Sequence, residues 1–145
     1  MLALSVVRMT PGLQLRLGRR PDWRLMLNDV EYFQQAMSKL FAARGYMVRG
    51  LWVHHDPLDE TPREVIFALE RGGTRYAALC VRWIVPVTSD VIGRFEKSLP
   101  ATEADIGLIA TTSIFTDGAL ERARGLRLEL VDRNELQKWI ALAWP

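Results

Sequence analysis

The chain has 145 residues and a mass of 16.6 kDa, room for one ordinary domain with a buried core and too little for two. Hydrophobic residues make up 49% and charged residues 25%, which excludes a disordered or collagen-like chain, and the single cysteine, Cys80, excludes an internal disulfide. The formal charge of +2 hides a gradient, because residues 1–50 carry eight basic side chains against three acids, a net of +5, and the remaining 95 carry eleven against fourteen, a net of −3. Nucleic acid is therefore a candidate partner for the basic end. The competing reading is a solvated surface in a chain that uses 16 Arg and 3 Lys. No apolar run approaches the roughly 20 residues of a membrane span, and Arg8 interrupts the start where a signal peptide would stay apolar. A cytoplasmic protein without a membrane partner is expected.

In chain order, Leu2 to Val7 and the alternating Leu13, Leu15 and Leu17 flank Thr10-Pro11-Gly12, which predicts a β-hairpin within an extension spanning 1–27. The domain proper is expected over 28–145. Asn28 as N-cap with Glu31 three residues on predicts a helix with an inner face of Phe33, Met37, Leu40 and Phe41, closed by Gly45. Tyr46 to His54 reads as extended, and His55 to Pro62 as a polar, acidic loop. Two strands, Glu64–Glu70 and Arg75–Val85, are joined by Arg71-Gly72-Gly73-Thr74, the composition of a tight antiparallel turn.

Beyond Pro86 the pattern alternates between the two kinds of element. A helix over Thr88–Leu99 is followed by a short buried strand over Gly107–Thr111. A helix over Thr116–Arg124 has a Thr cap and Gly125 as its stop. A strand over Leu126–Val131 leads to a last helix that Asp132 caps with Glu135. Three strands able to form a meander, then helix, strand, helix, strand, helix, describe an α/β fold: a central mixed sheet of about five strands flanked by helices.

Several of these residues fall into a recognisable series. Gly45-Tyr46-x-Val48, the strand pair around Gly73-Thr74-Arg75-Tyr76-Ala77, Cys80-x-Arg82-Trp83, Thr111-Thr112-Ser113-x-Phe115-Thr116-x-x-Ala119-x-x-x-Ala123 and Leu128-x-Leu130-Val131-Asp132-x-x-x-Leu136 together resemble the Mrr-like restriction endonuclease domain of the PD-(D/E)xK nuclease-like superfamily. The resemblance covers about residues 29 to 141. It implies a restriction-endonuclease-like fold, DNA as ligand and magnesium-dependent phosphodiester cleavage as the family chemistry.

That chemistry makes demands on residue type. A hard cation needs acidic oxygens, and a lysine commonly helps to position or activate water. In the family an Asp opens one strand, and a Gln or Glu stands two residues before a Lys on the next. Residues two apart on a strand share a face. With Cys-Arg-Trp in register, Leu79 falls at the Gln/Glu position and Val81 at the Lys position. The Asp falls at Val65 or Ile66, and an acid that many members carry on the first helix falls at Gln34. Aliphatic side chains neither ligate a cation nor deliver a proton. The cleavage site thus reads as degenerate, with Glu64 as the nearest substitute and no metal or other cofactor expected; magnesium returns only if the site is active.

Other groups are weaker candidates. Glu64, Glu70, Asp56, Asp59 and Arg82 could assemble a migrated site, although acids near strand ends are more often solvated. His54-His55-Asp56 with Asp59-Glu60 superficially suggests a metal cluster, but adjacent strand residues point to opposite faces. Cys80, inside an apolar run, reads as a small buried hydrophobe. For DNA, Arg19 and Arg20 on the basic extension, Arg82, and the hydroxyls of Thr112 and Ser113 beside Thr111 are the expected contacts. The alternatives are that Arg82 meets a helix end and that the hydroxyls satisfy their own turn and cap the next helix. Trp144-Pro145 at the end is hard to bury, and an exposed Trp144 would favour a homodimer or larger assembly. The sequence supports a DNA-binding or accessory protein first, an active divergent endonuclease second, and a protein-interaction module without DNA third.

Overall fold

A computed structural model describes residues 3–6, 18–55 and 63–145, with backbone alone at 3–6, 54 and 55. One six-stranded sheet runs through the chain in sequence order. Strand β1 (Ala3–Val6) pairs antiparallel with β2 (Met47–His55), and β2 pairs antiparallel with β3 (Glu64–Arg71). Strand β3 pairs antiparallel with β4 (Thr74–Val81). Then β5 (Ile106–Thr111) and β6 (Leu128–Val131) add in parallel. The five strands β2–β6 are the mixed sheet that the sequence predicts, and β1 extends it at one edge. Of the expected N-terminal hairpin, the first half is this strand, paired with β2, and the second half at 13–17 lies outside the described residues.

Local chemistry explains most boundaries. Gly72 and Gly73 both have positive φ, 58° and 81°, the backbone of a two-residue turn whose twist suits antiparallel strands. Gly45 (φ 85°) closes the first long helix as expected. That helix, α2 (Val30–Ala43), starts one residue later than predicted because Asp29, not Asn28, accepts the backbone N–H of Tyr32. Before it lies a short helix that the sequence reading passes over, α1 (Trp23–Asn28), capped by the Asp22 carboxylate and preceded by Pro21. Thr116 caps α4 (Asp117–Ala123), and Asp132 caps α5 (Arg133–Ala143).

Helix α3 (Ser89–Thr102) runs three residues past the predicted stop at Leu99 and carries Pro100 in its last turn. The hydroxyls of Ser98 and Thr102 donate to Phe95 O and Leu99 O, carbonyls of the final turns.

Strand β4 ends at Val81, four residues short of the prediction. Its parallel partner β5 ends opposite it at Thr111, and the chain beyond has no ladder to join.

Two parallel crossovers taken in the same direction put α3 and α4 on one face of the sheet. There Val91, Ile92, Phe95, Ala119 and Ala123 cover Ala77, Leu79, Val81 and Ile109. On the other face α1, α2 and α5 cover Val65, Phe67, Ala78, Cys80, Leu108 and Ala110 with Met26, Phe33, Phe41, Leu136 and Trp139. Strand β4 is buried on both faces, so it reads as the continuous apolar run Tyr76–Val81 instead of an alternation. A bulge between Val48 and Gly50 resets the alternation of β2, which is why Val48 and Leu51, three apart, face the same core. Gly107 lets α3 approach, since a Cβ there would stand 2.5 Å from Leu128 and 3.0 Å from Phe95.

The terminal Trp144 is 8% exposed and packs in the α2/α5 core. This removes the argument for a dimer that rested on its exposure. Among the described residues no helix is long and apolar enough to cross a membrane.

Candidate functional site

Strand pairing defines which family positions can meet. In the β3/β4 ladder Glu64 stands opposite Val81, Ile66 opposite Leu79, and Val65 opposite Cys80. Directly opposed residues share a face. Glu64, Ile66, Leu79 and Val81 therefore lie together on the α3/α4 side, whereas Val65 points into the α2/α5 core. Of the two positions open to the family aspartate, Val65 is excluded from the group and Ile66 belongs to it. Gln34 sits half-buried on α2, which packs on the far side of the sheet. The structure does not bring it onto this face.

The face itself is hydrocarbon. Leu79 is 4% exposed and Val81 0%, both packed with Val87, Val91, Ile92 and Phe115. The carboxylate that reaches this face at Val81 is Glu64, itself buried, and its Oε1 accepts Arg94 Nη2 of α3 at 3.0 Å. Thirty residues separate the two, and no local signal in the sequence announces the pair. Among the described residues no three of His, Cys, Asp and Glu come together in a way that could hold a metal ion. Asp56, Asp59 and Glu60 lie outside the described residues, as do the side chains of His54 and His55.

Glu70, the other described acid of the supposed migrated site, lies at the turn end of β3 and pairs with Arg49 at 2.8 Å. Both line a cavity of about 360 Å³ with Arg75, Tyr76, Thr102 and Ala104. It is separate from Leu79 and Val81. On the opposite core, Cys80 is fully buried and burial pushes its thiol pKa up, the behaviour of a packing residue and not of a nucleophile. Burial also raises the Tyr46 phenol, offset by the Arg71 guanidinium stacked on its ring.

The expected DNA contacts divide. Arg19 and Arg20 are exposed, and Arg19 lines a small notch with Pro21, Tyr32 and Lys39. Arg82 is buried, and its Nη1 donates to the Leu27 carbonyl in the last turn of α1. It is a helix-end contact. Thr112 and Ser113 are also buried. Thr112 Oγ1 accepts Trp83 N–H at 3.0 Å and donates to Trp83 O at 2.8 Å, and Ser113 Oγ donates to Ile84 O at 3.4 Å. These hydroxyls, like Arg82, serve the protein's own backbone, the alternative that the sequence also offers for them. They also do not cap the following helix, which Thr116 does; they hold the segment that leaves β4.

Comparison with known proteins adds a family. No curated protein matches the chain. Among solved structures it is similar to the DNA modification-dependent restriction endonuclease AspBHI, at 14% identity and a TM-score of 0.46, covering 95% of this chain and 38% of that one. The chain thus spans well under half the length of that protein. A family model, Mrr_cat, described as restriction endonuclease, matches residues 27–140. The match takes in α2, the β2–β6 sheet and both crossovers: the chain belongs to the Mrr-type restriction endonuclease domain family and has its restriction-endonuclease-like α/β fold.

Proposed function

We propose that this chain is a DNA-binding or accessory member of its family whose phosphodiester-cleavage site is degenerate. The observation that carries the reading is the burial of Leu79 and Val81 under α3 and α4, at the positions where the family resemblance calls for a Gln or Glu and a Lys. Magnesium requires a near-octahedral shell of oxygens. The described residues offer one carboxylate beside Val81, already ion-paired to Arg94, and this donor set does not fit the ion. No cofactor is therefore assigned. DNA remains the ligand by family membership and by the basic N-terminal third, with Arg19 and Arg20 as proposed phosphate contacts.

The test is a purified sample assayed for both properties. Duplex DNA should stay intact with Mg²⁺ or Mn²⁺, while binding weakens steeply as salt rises, because phosphate contacts release counterions. Mg²⁺-dependent cutting that disappears in Glu64→Gln would overturn the proposal in favour of an active, divergent endonuclease. That second reading is favoured by one observation, the placement of Glu64 directly opposite Val81. Absent or salt-independent DNA binding would favour a protein-interaction module.

A further inference from the structure

Strand β6 is the last of the sheet, and among the described residues no strand pairs with its outer side. Its backbone direction is fixed by β5. Gly107 N–H donates to Arg127 O at 2.9 Å, and Gly107 stands beside Leu128 in the parallel register. Arg127 and Glu129 therefore turn their main-chain groups toward β5, while Leu128 and Leu130 turn theirs outward. An outward row of this kind is a template for another strand. Strand β6 is short, but no proline or bulge interrupts it.

Its side chains divide by face. Leu126, Leu128 and Leu130 lie on the α3/α4 side, half-buried against that core. Arg127 and Glu129 lie on the other side, exposed, and neither has an ion pair among the described residues. By contrast Arg94, Arg122 and Arg124 each meet a carboxylate of their own chain. Helix α4 overhangs the same edge. Ala119 and Ala123 face the sheet, and Arg122 reaches back to Glu96 of α3 at 3.8 Å. At about 3.6 residues per turn, Leu120 falls on the flank away from α3, and it is 46% exposed.

A second copy of β6 satisfies both faces in a single register. In an antiparallel pair the outward residues oppose one another, and a two-fold axis perpendicular to the sheet keeps each face of one copy level with the same face of the other. With the axis at Leu128, Arg127 opposes Glu129 of the second copy, Glu129 opposes its Arg127, and Leu126 opposes its Leu130. An axis at residue 127 sets Arg127 against Arg127, and one at residue 129 sets Glu129 against Glu129. Like charges directly opposed are unfavourable. Charges beyond the strand balance locally, since Arg124 is paired with Glu121 at 3.5 Å and Asp132, the cap of α5, adjoins Arg133.

We propose that the chain forms a two-fold dimer by antiparallel pairing of β6 with β6 about Leu128, with reciprocal Arg127–Glu129 ion pairs on one face and Leu120, Leu126, Leu128 and Leu130 on the other. The two sheets become one. A wholly apolar edge accepts any strand, whereas the alternation of Arg127 and Glu129 selects its own copy.

The test is sedimentation of the full chain over a range of concentrations. The wild type should dimerise. R127E and E129R each set like charges against one another across the axis and should weaken the dimer about tenfold or more. The double variant R127E/E129R exchanges the signs and should return the dimer to within about threefold of the wild type. Both side chains are exposed, so all three variants should keep the far-ultraviolet circular dichroism of the wild type. A wild type that stays monomeric up to about 1 mM overturns the proposal and leaves the edge to a strand of another protein. A dimer that either single reversal leaves at full strength overturns it and places the contact on another surface. Weakening in the single variants without recovery in the double variant overturns the pairing of β6 with β6.

Discussion

The two faces of the sheet are both apolar and were built for different ends. The α2/α5 face is a large aromatic core in which Phe41 meets Tyr46, Phe67 and Trp139 edge to face at 5.4–6.2 Å, an arrangement worth more than area alone. The α3/α4 face is smaller and mostly aliphatic, and it holds the four positions, Glu64, Ile66, Leu79 and Val81, that converge where the family resemblance places its chemistry. A catalytic face keeps polar groups at a desolvation cost. This one spends its strand positions on packing, and its remaining carboxylate ties α3 to the sheet through Arg94. The difference teaches that two faces of one sheet can both be packed as core while, among the described residues, only one of them carries an ion pair made by a buried carboxylate, Glu64 with Arg94.

The comparison can be broken most sharply by restoring polarity. If the α3/α4 face is core, Leu79→Glu buries a charge opposite Ile66 and should cost about 3–5 kcal/mol, comparable to the roughly 3–5 kcal/mol of Phe41→Ala on the aromatic side. Urea denaturation of both variants measures this. A loss below 1 kcal/mol for Leu79→Glu would show an open, solvated site instead. Val81→Lys should cost less, about 1–3 kcal/mol, because Glu64 stands opposite to receive the ammonium.

At the junction of the two faces, Thr112→Val removes one hydroxyl and leaves the Trp83 N–H and C=O without it. A loss of about 1–2 kcal/mol in thermal melts is expected, together with faster amide exchange at Trp83. The smallest effect concerns Cys80. Buried in the aromatic-side core, it should resist a thiol reagent in the native state and react once the chain unfolds; prompt native labelling would mean that this face opens locally.

Much of this architecture was legible in local chemistry. Gly45, Gly72-Gly73, Gly125 and the caps Thr116 and Asp132 act over a few residues, so their spacing alone announced the turns and helix ends. The apolar run of β4 announced a central strand. The absence of oxygen and nitrogen donors at Leu79 and Val81 is likewise a property of side-chain type, readable without coordinates.

Other features depend on residues far apart in the chain. Glu64 and Arg94, Arg82 and Leu27, and Thr112 and Trp83 are each separated by about thirty residues or more, and no periodicity encodes such pairs. The end of β4 at Val81 was set by where its neighbour β5 stops, and the face of Val65 by the register of the β3 ladder. The sequence by itself determined the order of the elements from α2 onward, the family and the aliphatic character of the strand positions Leu79 and Val81, because propensity, capping and side-chain chemistry are local. Only the tertiary structure decided that Trp144 is core, that Arg82, Thr112 and Ser113 bond to the backbone, and that Ile84 is exposed, because hydrogen-bond partners and burial are set by what the fold brings near.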